Sequence, residues 1–209
     1  MKRKIYLTAA VCLLCLSTAQ AQTFNINTGS NIVITANGTY TITGTGSPTT
    51  HTIKVNPGVV ADITLENVNI DVSGITNACA FEMSGATVTL RLSGTDTLKS
   101  NGTAAGLQVS AGATLVIEDA SNSNRLTVSG GAKAAGIGGA SGSAAGNITI
   151  NSGIITATGS TAAGDNGGGA GIGGGYQGDG GVITINGGEI TAICESTDWG
   201  AAAIGGGGS

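Results

Sequence analysis

Apolar and polar residues alternate with period two along nearly all of the chain beyond Thr23, in runs such as Ile63-Thr64-Leu65, Leu115-Val116-Ile117, Ile148-Thr149-Ile150 and Ile183-Thr184-Ile185. Such alternation predicts strands with one buried side, and clusters of Gly, Asn, Ser and Thr between the runs predict turns. Straight-chain helix formers are scarce, so no helix is predicted. Aligned on their own alternation, the runs fall into three columns. The first holds Ile53 and Val55, Phe81 and Met83, Leu107 and Val109, then Ile137, Ile172 and Ile204. The second holds Ile63 and Leu65, Val88 and Leu90, Leu115 and Ile117, Ile148 and Ile150, Ile183 and Ile185. The third holds Ile70 and Val72, Leu98, Leu126 and Val128, Ile155 and Ala157, Ile190 and Ala192. In three consecutive turns the third column precedes the next first column by nine residues, from Val72 to Phe81, Leu98 to Leu107 and Val128 to Ile137.

The columns contain an explicit repeat. AAGIGG at Ala134–Gly139 returns as GAGIGGG at Gly169–Gly175 and AAAIGGG at Ala201–Gly207, and Ile137, Ile148 and Ile155 recur 35 residues later as Ile172, Ile183 and Ile190. A chain that turns three corners and then repeats is a solenoid whose like columns stack. The expectation is an all-β fold, a three-faced parallel β-helix of about six coils and, at about 4.8 Å per coil, about 30 Å long. Each inward aliphatic side chain contributes about 1.5–3 kcal/mol. The outward Thr64, Thr89, Thr149 and Thr184 are expected to form a ladder on the second face, where β-branched side chains suit the pleat. Residues 22–51 read as an N-terminal cap or first coil and residues 52–209 as the coils proper. The last of these starts at Ala201 and lacks its second strand, so a fragment of a longer protein is expected.

The first 21 residues depart from this pattern. Lys2, Arg3 and Lys4 precede an apolar run from Ile5 to Leu16, and Ala19-Gln20-Ala21 supplies small residues for cleavage, which predicts a signal peptide and an exported mature chain. The run is too short to span a bilayer, so no integral membrane segment is expected after processing. Beyond residue 21 the cations are Lys54, Arg91, Lys99, Arg125 and Lys133 against all 12 Asp and Glu, a net charge of −7. Nucleic acid and anionic lipid need a cationic footprint and are excluded as partners. Neutral glycans and calcium are compatible with the charge. Cys79 and Cys194 lie several coils apart, too far to bridge, and read as small buried or half-buried residues.

Insertions in a solenoid map to one side and often form its binding surface. The corner between third and first columns lengthens to fifteen residues from Ala157 to Ile172, bringing Asp165 and Asn166, and to twelve from Ala192 to Ile204, bringing Glu195, Asp198 and Trp199, the chain's single tryptophan. The corner between first and second columns carries Tyr176, Gln177 and Asp179 where the preceding coil has only Ser, Ala and Gly. An aromatic ring covers the C–H side of a sugar while carboxylates and amides fix its hydroxyls, so these eight residues are the candidate ligand-binding set. Acids on loops are also calcium donors. The plainer alternative is a tryptophan filling the space beneath its own loop and solvated acids. The glycine strings lack the strand-to-helix context of a phosphate loop, and Gly174–Asp179 (GGYQGD) departs from the calcium-binding nonapeptide pattern.

Catalysis has little support. His51 is the only histidine, and Glu118-Asp119 end a strand and read as a solvated corner. Arg91 and Arg125 fall in different columns, with no acid cluster beside either deducible from spacing.

The AGIGGG and ITINGG-x-ITA text of Ala170–Ala192, with LENVNIDVSG (Leu65–Gly74) and ATVTLRLSGTDTLKSNG (Ala86–Gly102), resembles a family of secreted bacterial carbohydrate-binding domains. The resemblance covers roughly Thr52 to Gly207 and implies a right-handed parallel β-helix that binds plant cell-wall polysaccharide, with calcium sites in the family. The Gln-Ala-Gln end of the signal is similar to Bacteroidetes exports. No calcium-ligand motif of the family maps residue by residue onto this chain. The expected function is therefore a secreted or cell-surface, non-catalytic β-helix that binds polysaccharide, with calcium as a candidate cofactor. The alternatives are a structural or adhesive stalk of a larger surface protein and a polysaccharide lyase or hydrolase. Ice binding ranks lower, because Val116 interrupts the threonine ladder.

Overall fold

The computed structural model describes residues 21–161, 167–195 and 200–208. Every named strand pairs in parallel, and the strands form three sheets of 7, 7 and 5 strands with no helix among the described residues. The fold is a three-faced parallel β-solenoid, as the period-two columns require. No helix among the described residues is long and apolar enough to cross a membrane.

Columns stack as continuous files. On the second face Val88, Leu115, Ile148 and Ile183 lie one above another, beside Ile63, Leu90, Ile117, Ile150 and Ile185. Ile137, Ile172 and Ile204 stack on the first face above Leu107, Phe81, Ile53 and Ile32. Nearly all of these side chains are fully buried and merge into one apolar core. Residues 22–51 enter the same columns: Gln22–Asn25 pairs with the second-face strand Gly38–Thr43, and Ile32–Ile34 pairs with Ile53–Val55. In the last described coil Ile185, Ile193 and Ile204 are 41–43 % exposed.

The repeated AGIGG text acquires a physical reading. Each copy wraps its isoleucine into a closed loop, with Ala135 N–H donating to Gly139 O (3.0 Å), Ala170 to Gly174 (2.9 Å) and Ala202 to Gly206 (3.0 Å). The first-face strand inside that loop is only two residues long, as in Ile137–Gly138. Its second residue has φ of +136° at Gly138 and +135° at Gly173, and a Cβ at either would strike the carbonyl oxygen of the next coil's glycine. Glycine is therefore obligatory there for both conformation and space.

Three vertical alignments differ from those expected. Leu98 stacks on Ile70, not Val72, so the corner leading to Phe81 is eleven residues long where the next two corners have nine. Ile63 lies beneath Leu90 and Leu65 beneath Leu92, because the strands Val60–Glu66 and Thr87–Ser93 each bury three residues rather than two. On the outer side of the second face Thr64 stands beneath Arg91, while Thr89, Val116, Thr149 and Thr184 continue upward from Asp62. An uninterrupted threonine file does exist, on the third face: Thr97, Thr127, Thr156 and Thr191. The β-branched fit to a pleated surface accounts for it.

Candidate functional site

Because the first-face strands are so short, the corners on either side of them meet. Tyr176 N–H donates to Lys133 O (2.8 Å), Gly142 N–H to Tyr176 O (2.8 Å), Gln177 N–H to Gly208 O (2.7 Å) and Gly208 N–H to Gly168 O (2.9 Å). The corner bearing Tyr176 and Gln177 is thus laced to the corner between the third and first columns, so two regions that are distinct along the chain form one patch. The Tyr176 ring lies under the Lys133 ammonium, 4.2 Å from its centroid, and a Cβ on Gly167 would clash with the Cδ2–Cε2 side of the ring. Lys133 itself adopts φ +62° at the repeat position where Gly168 stands one coil later. The phenol oxygen accepts from Gln177 Nε2 (3.4 Å), and Gln177 has φ +57°. Tyr176 is half-buried, while Gln177, Asp179 and Glu195 are exposed. Asp165, Asn166, Asp198 and Trp199 lie outside the described residues.

The calcium expectation can be tested against the donors in this patch. Calcium takes six to eight oxygens. Asp179 is the only acid between Gly167 and Gly188, its own carbonyl accepts from Ala145 N–H (3.0 Å), and that of Gly178 accepts from Gly207 N–H (3.0 Å). Among the described residues no three His, Cys, Asp or Glu side chains converge. The described part of the patch does not fit the ion, and no step is assigned to it.

Arg91 has the acidic neighbours that spacing could not supply. Its guanidinium reaches Asp62 through Nε (2.9 Å) and Glu118 through Nη1 (2.6 Å), and Asn151 Nδ2 and Asn186 Nδ2 extend the ladder along the face. The hydrogen bond to Asp62, with the charges of Asp62 and Glu118, holds the guanidinium even more firmly protonated than usual. An arginine held this way has no lone pair with which to accept a proton.

The adjacent Asp119 is not solvated. It is buried and accepts from Ser121 N–H (2.9 Å) and from Asn124 N–H (2.8 Å) and Nδ2 (2.7 Å), while Asn124 Oδ1 accepts from Gly94 N–H (2.7 Å) in the coil below. Burial pushes this carboxyl up, but the hydrogen bonds prevail and hold it below the usual carboxylate range. Its role is to tie a corner. His51 Nδ1 donates to Ile26 O (2.9 Å), a link between coils. Among the described residues neither Cys79 nor Cys194 forms a disulfide, and burial keeps Cys79 protonated, pushing it up to about 12.

Asp96 has no counterpart in the sequence reading. It occupies an inward position of the third column, opposite Leu126 and fully buried. Oδ1 accepts from Val68 N–H (2.8 Å), and Oδ2 has no hydrogen-bond partner. Burial pushes its carboxyl up to about 7, with the Glu66 charge adding to the effect and the Val68 N–H opposing it. The signal was present in Thr95-Asp96-Thr97-Leu98, where an acid stands two residues before an inward leucine.

Compared with protein-family models, curated proteins and solved structures, the chain matches none.

Proposed function

We propose that this chain is an exported, non-catalytic β-solenoid that binds polysaccharide through the first-face corner patch around Tyr176. The lacing of the Tyr176 corner to the corner across the first face, by backbone hydrogen bonds at Lys133 and Gly168, is the observation that carries the reading. It brings an aromatic ring, the Gln177 amide and the Gly167–Gly168 end of the longest corner together through backbone bonds, and pre-ordered surfaces pay less entropy on binding. The position of the Lys133 ammonium directs the reading toward the ring's edge and phenol oxygen rather than toward open stacking on both faces of the ring. Gln177 and Asp179 supply the donors and acceptors that hydroxyls need.

Retention on insoluble plant polysaccharides tests this. Tyr176→Ala is expected to weaken retention about three- to tenfold, the scale of one aromatic contact, with Trp199→Ala as a parallel arm and a chelator as the calcium arm. Failure of the wild-type chain to be retained on any glycan would favour the stalk reading. New reducing or unsaturated ends in the supernatant would favour an enzyme.

A further inference from the structure

The corrected register exposes an enlarged corner that alignment by alternation concealed. With Ile70 stacked beneath Leu98, the segment from Ile70 to Phe81 is two residues longer than the next two such segments, and added length is the criterion that marks the C-terminal corners. The extra length is well anchored. Asp71 Oδ1 accepts from Ser73 N–H (3.0 Å) and Ser73 Oγ (2.5 Å), Ile75 N–H donates to Val72 O (2.9 Å), Ala78 N–H donates to Ile75 O (3.2 Å), and Ala78 O accepts from Asn101 N–H (2.9 Å). This corner holds Ile75 out from the core, 43 % exposed, and carries Asn77 at φ +54°.

Corner and first face together enclose a cleft of about 320 Å³, whose lining includes Asn31, Thr52, Lys54, Ile75, Asn77 and Glu82. Its chemistry is mixed and balanced. Lys54 Nζ and Glu82 Oε2 are 3.0 Å apart on neighbouring coils, both partly exposed. Asn31 turns its Oδ1 to Thr52 N–H (3.0 Å), which points its amide nitrogen elsewhere. Cys79 also lines the cleft, and its protonated thiol makes an inert wall rather than a nucleophile. A ligand anion would meet Glu82 and a ligand cation Lys54, so net charge is disfavoured. Two adjacent hydroxyls fit the pair, one donating to the carboxylate and the other accepting from the ammonium. Ile75 offers an apolar surface to C–H groups. The volume is near the lower end of the roughly 300–1,000 Å³ of small-molecule sites, enough for one ring of monosaccharide size.

We propose that this cleft binds a single neutral, hydroxyl-rich sugar unit, with Lys54 and Glu82 sharing two neighbouring hydroxyls and Ile75 covering the ring's C–H side. The proposal rests on the polysaccharide reading for its ligand class but on different residues, about 14 Å and three coils from Tyr176 at about 4.8 Å per coil. Separation of this order makes substitutions at the two places independent.

The test is titration of the full chain with methyl glycosides of neutral hexoses, followed by ligand-observed NMR and calorimetry, with a hexuronic acid and an amino sugar as charged controls. Saturable binding of a neutral glycoside is expected. It should weaken about tenfold or more in Glu82→Gln and in Ile75→Asn, be unchanged in Tyr176→Ala, and be poorer for both charged sugars. Circular dichroism of the variants separates loss of binding from loss of fold, and Lys54→Met provides a second substitution at an exposed side chain. The proposal is overturned if no neutral glycoside binds, if Glu82→Gln and Ile75→Asn bind as the wild type does, or if a charged sugar is preferred. Monosaccharide binding that is lost in the cleft variants, in a chain that no polymer retains, would uphold the cleft and refute the Tyr176 patch. Polymer retention that depends on Tyr176, in a chain that binds no neutral glycoside, would do the reverse.

Discussion

Asp96 places an ionisable group where the fold needs an aliphatic one, and the consequence is a pH-dependent stability with a definite sign. The folded-state value of about 7 stands above the ordinary 3.8. Between the two the folded chain holds a proton that the unfolded chain has released, so stability falls as pH rises from about 4 to about 7 and levels off above. At 1.36 kcal/mol per pH unit the full span amounts to about 4 kcal/mol. Asp96→Asn keeps an oxygen for Val68 N–H and removes the charge. Its NH₂ takes the place of the unpartnered Oδ2, at a cost of about 1–3 kcal/mol. The variant is therefore expected to be about 1–3 kcal/mol more stable than the wild type at pH 8, and no more stable than it at pH 4. Equilibrium urea denaturation at half-unit steps from pH 4 to 8 reads this directly, with an unchanged m-value showing that the same transition is compared. Parallel wild-type and variant curves across that window would refute the reasoning, as would a variant less stable at pH 8. Below pH 4 the slope reverses. The folded values of Asp71 and Asp119 are depressed, so the stability they confer is present above the ordinary carboxylate value and is lost as pH falls through the folded one.

Three further expectations probe other parts of the structure. Ile148→Ala, in a fully buried side chain stacked between Leu115 and Ile183, should cost about 2–5 kcal/mol in chemical denaturation, and a cost below about 1 would contradict the continuous file. Gly173→Ala, with φ +135° and a Cβ aimed at Gly205 O, should destabilise far more than Gly112→Ala, whose φ of +85° is strained but whose surroundings are open. The Gly112 change should cost about 1–2 kcal/mol by thermal melting. Arg91→Ala removes a side chain that is 47 % exposed, so despite its two carboxylate partners it should cost no more than about 1 kcal/mol, and that cost should shrink in high salt.

The architecture was legible because period two states which side of a strand is buried, and the 35-residue recurrence states that identical units lie side by side. The pairings of Ile148 with Ile183 and of Ile137 with Ile172 follow from those two facts alone. Alternation has a degeneracy, however: a slip of two residues leaves every side chain on the same face. That is why alternation alone sets Val72 rather than Ile70 beside Leu98, and Thr64 in the outer row that Asp62 occupies. Only hydrogen-bond register resolves a slip of two, and with it came the longer corner at Ile75 and the cleft beside Lys54 and Glu82. The candidate site divides in the same way. Tyr176, Gln177 and Asp179 stand out as departures from the repeat, but that their corner is bonded to the one across the first face depends on a two-residue strand and on backbone contacts between coils. The burial of Asp96 and the carboxylates around Arg91 are likewise set by what lies one coil above and one below. The sequence by itself determined the inward files and the stacking of coils, because both are periodic along the chain. The tertiary structure decided the vertical register and the meeting of corners, because these are contacts between residues about thirty positions apart that no local pattern encodes.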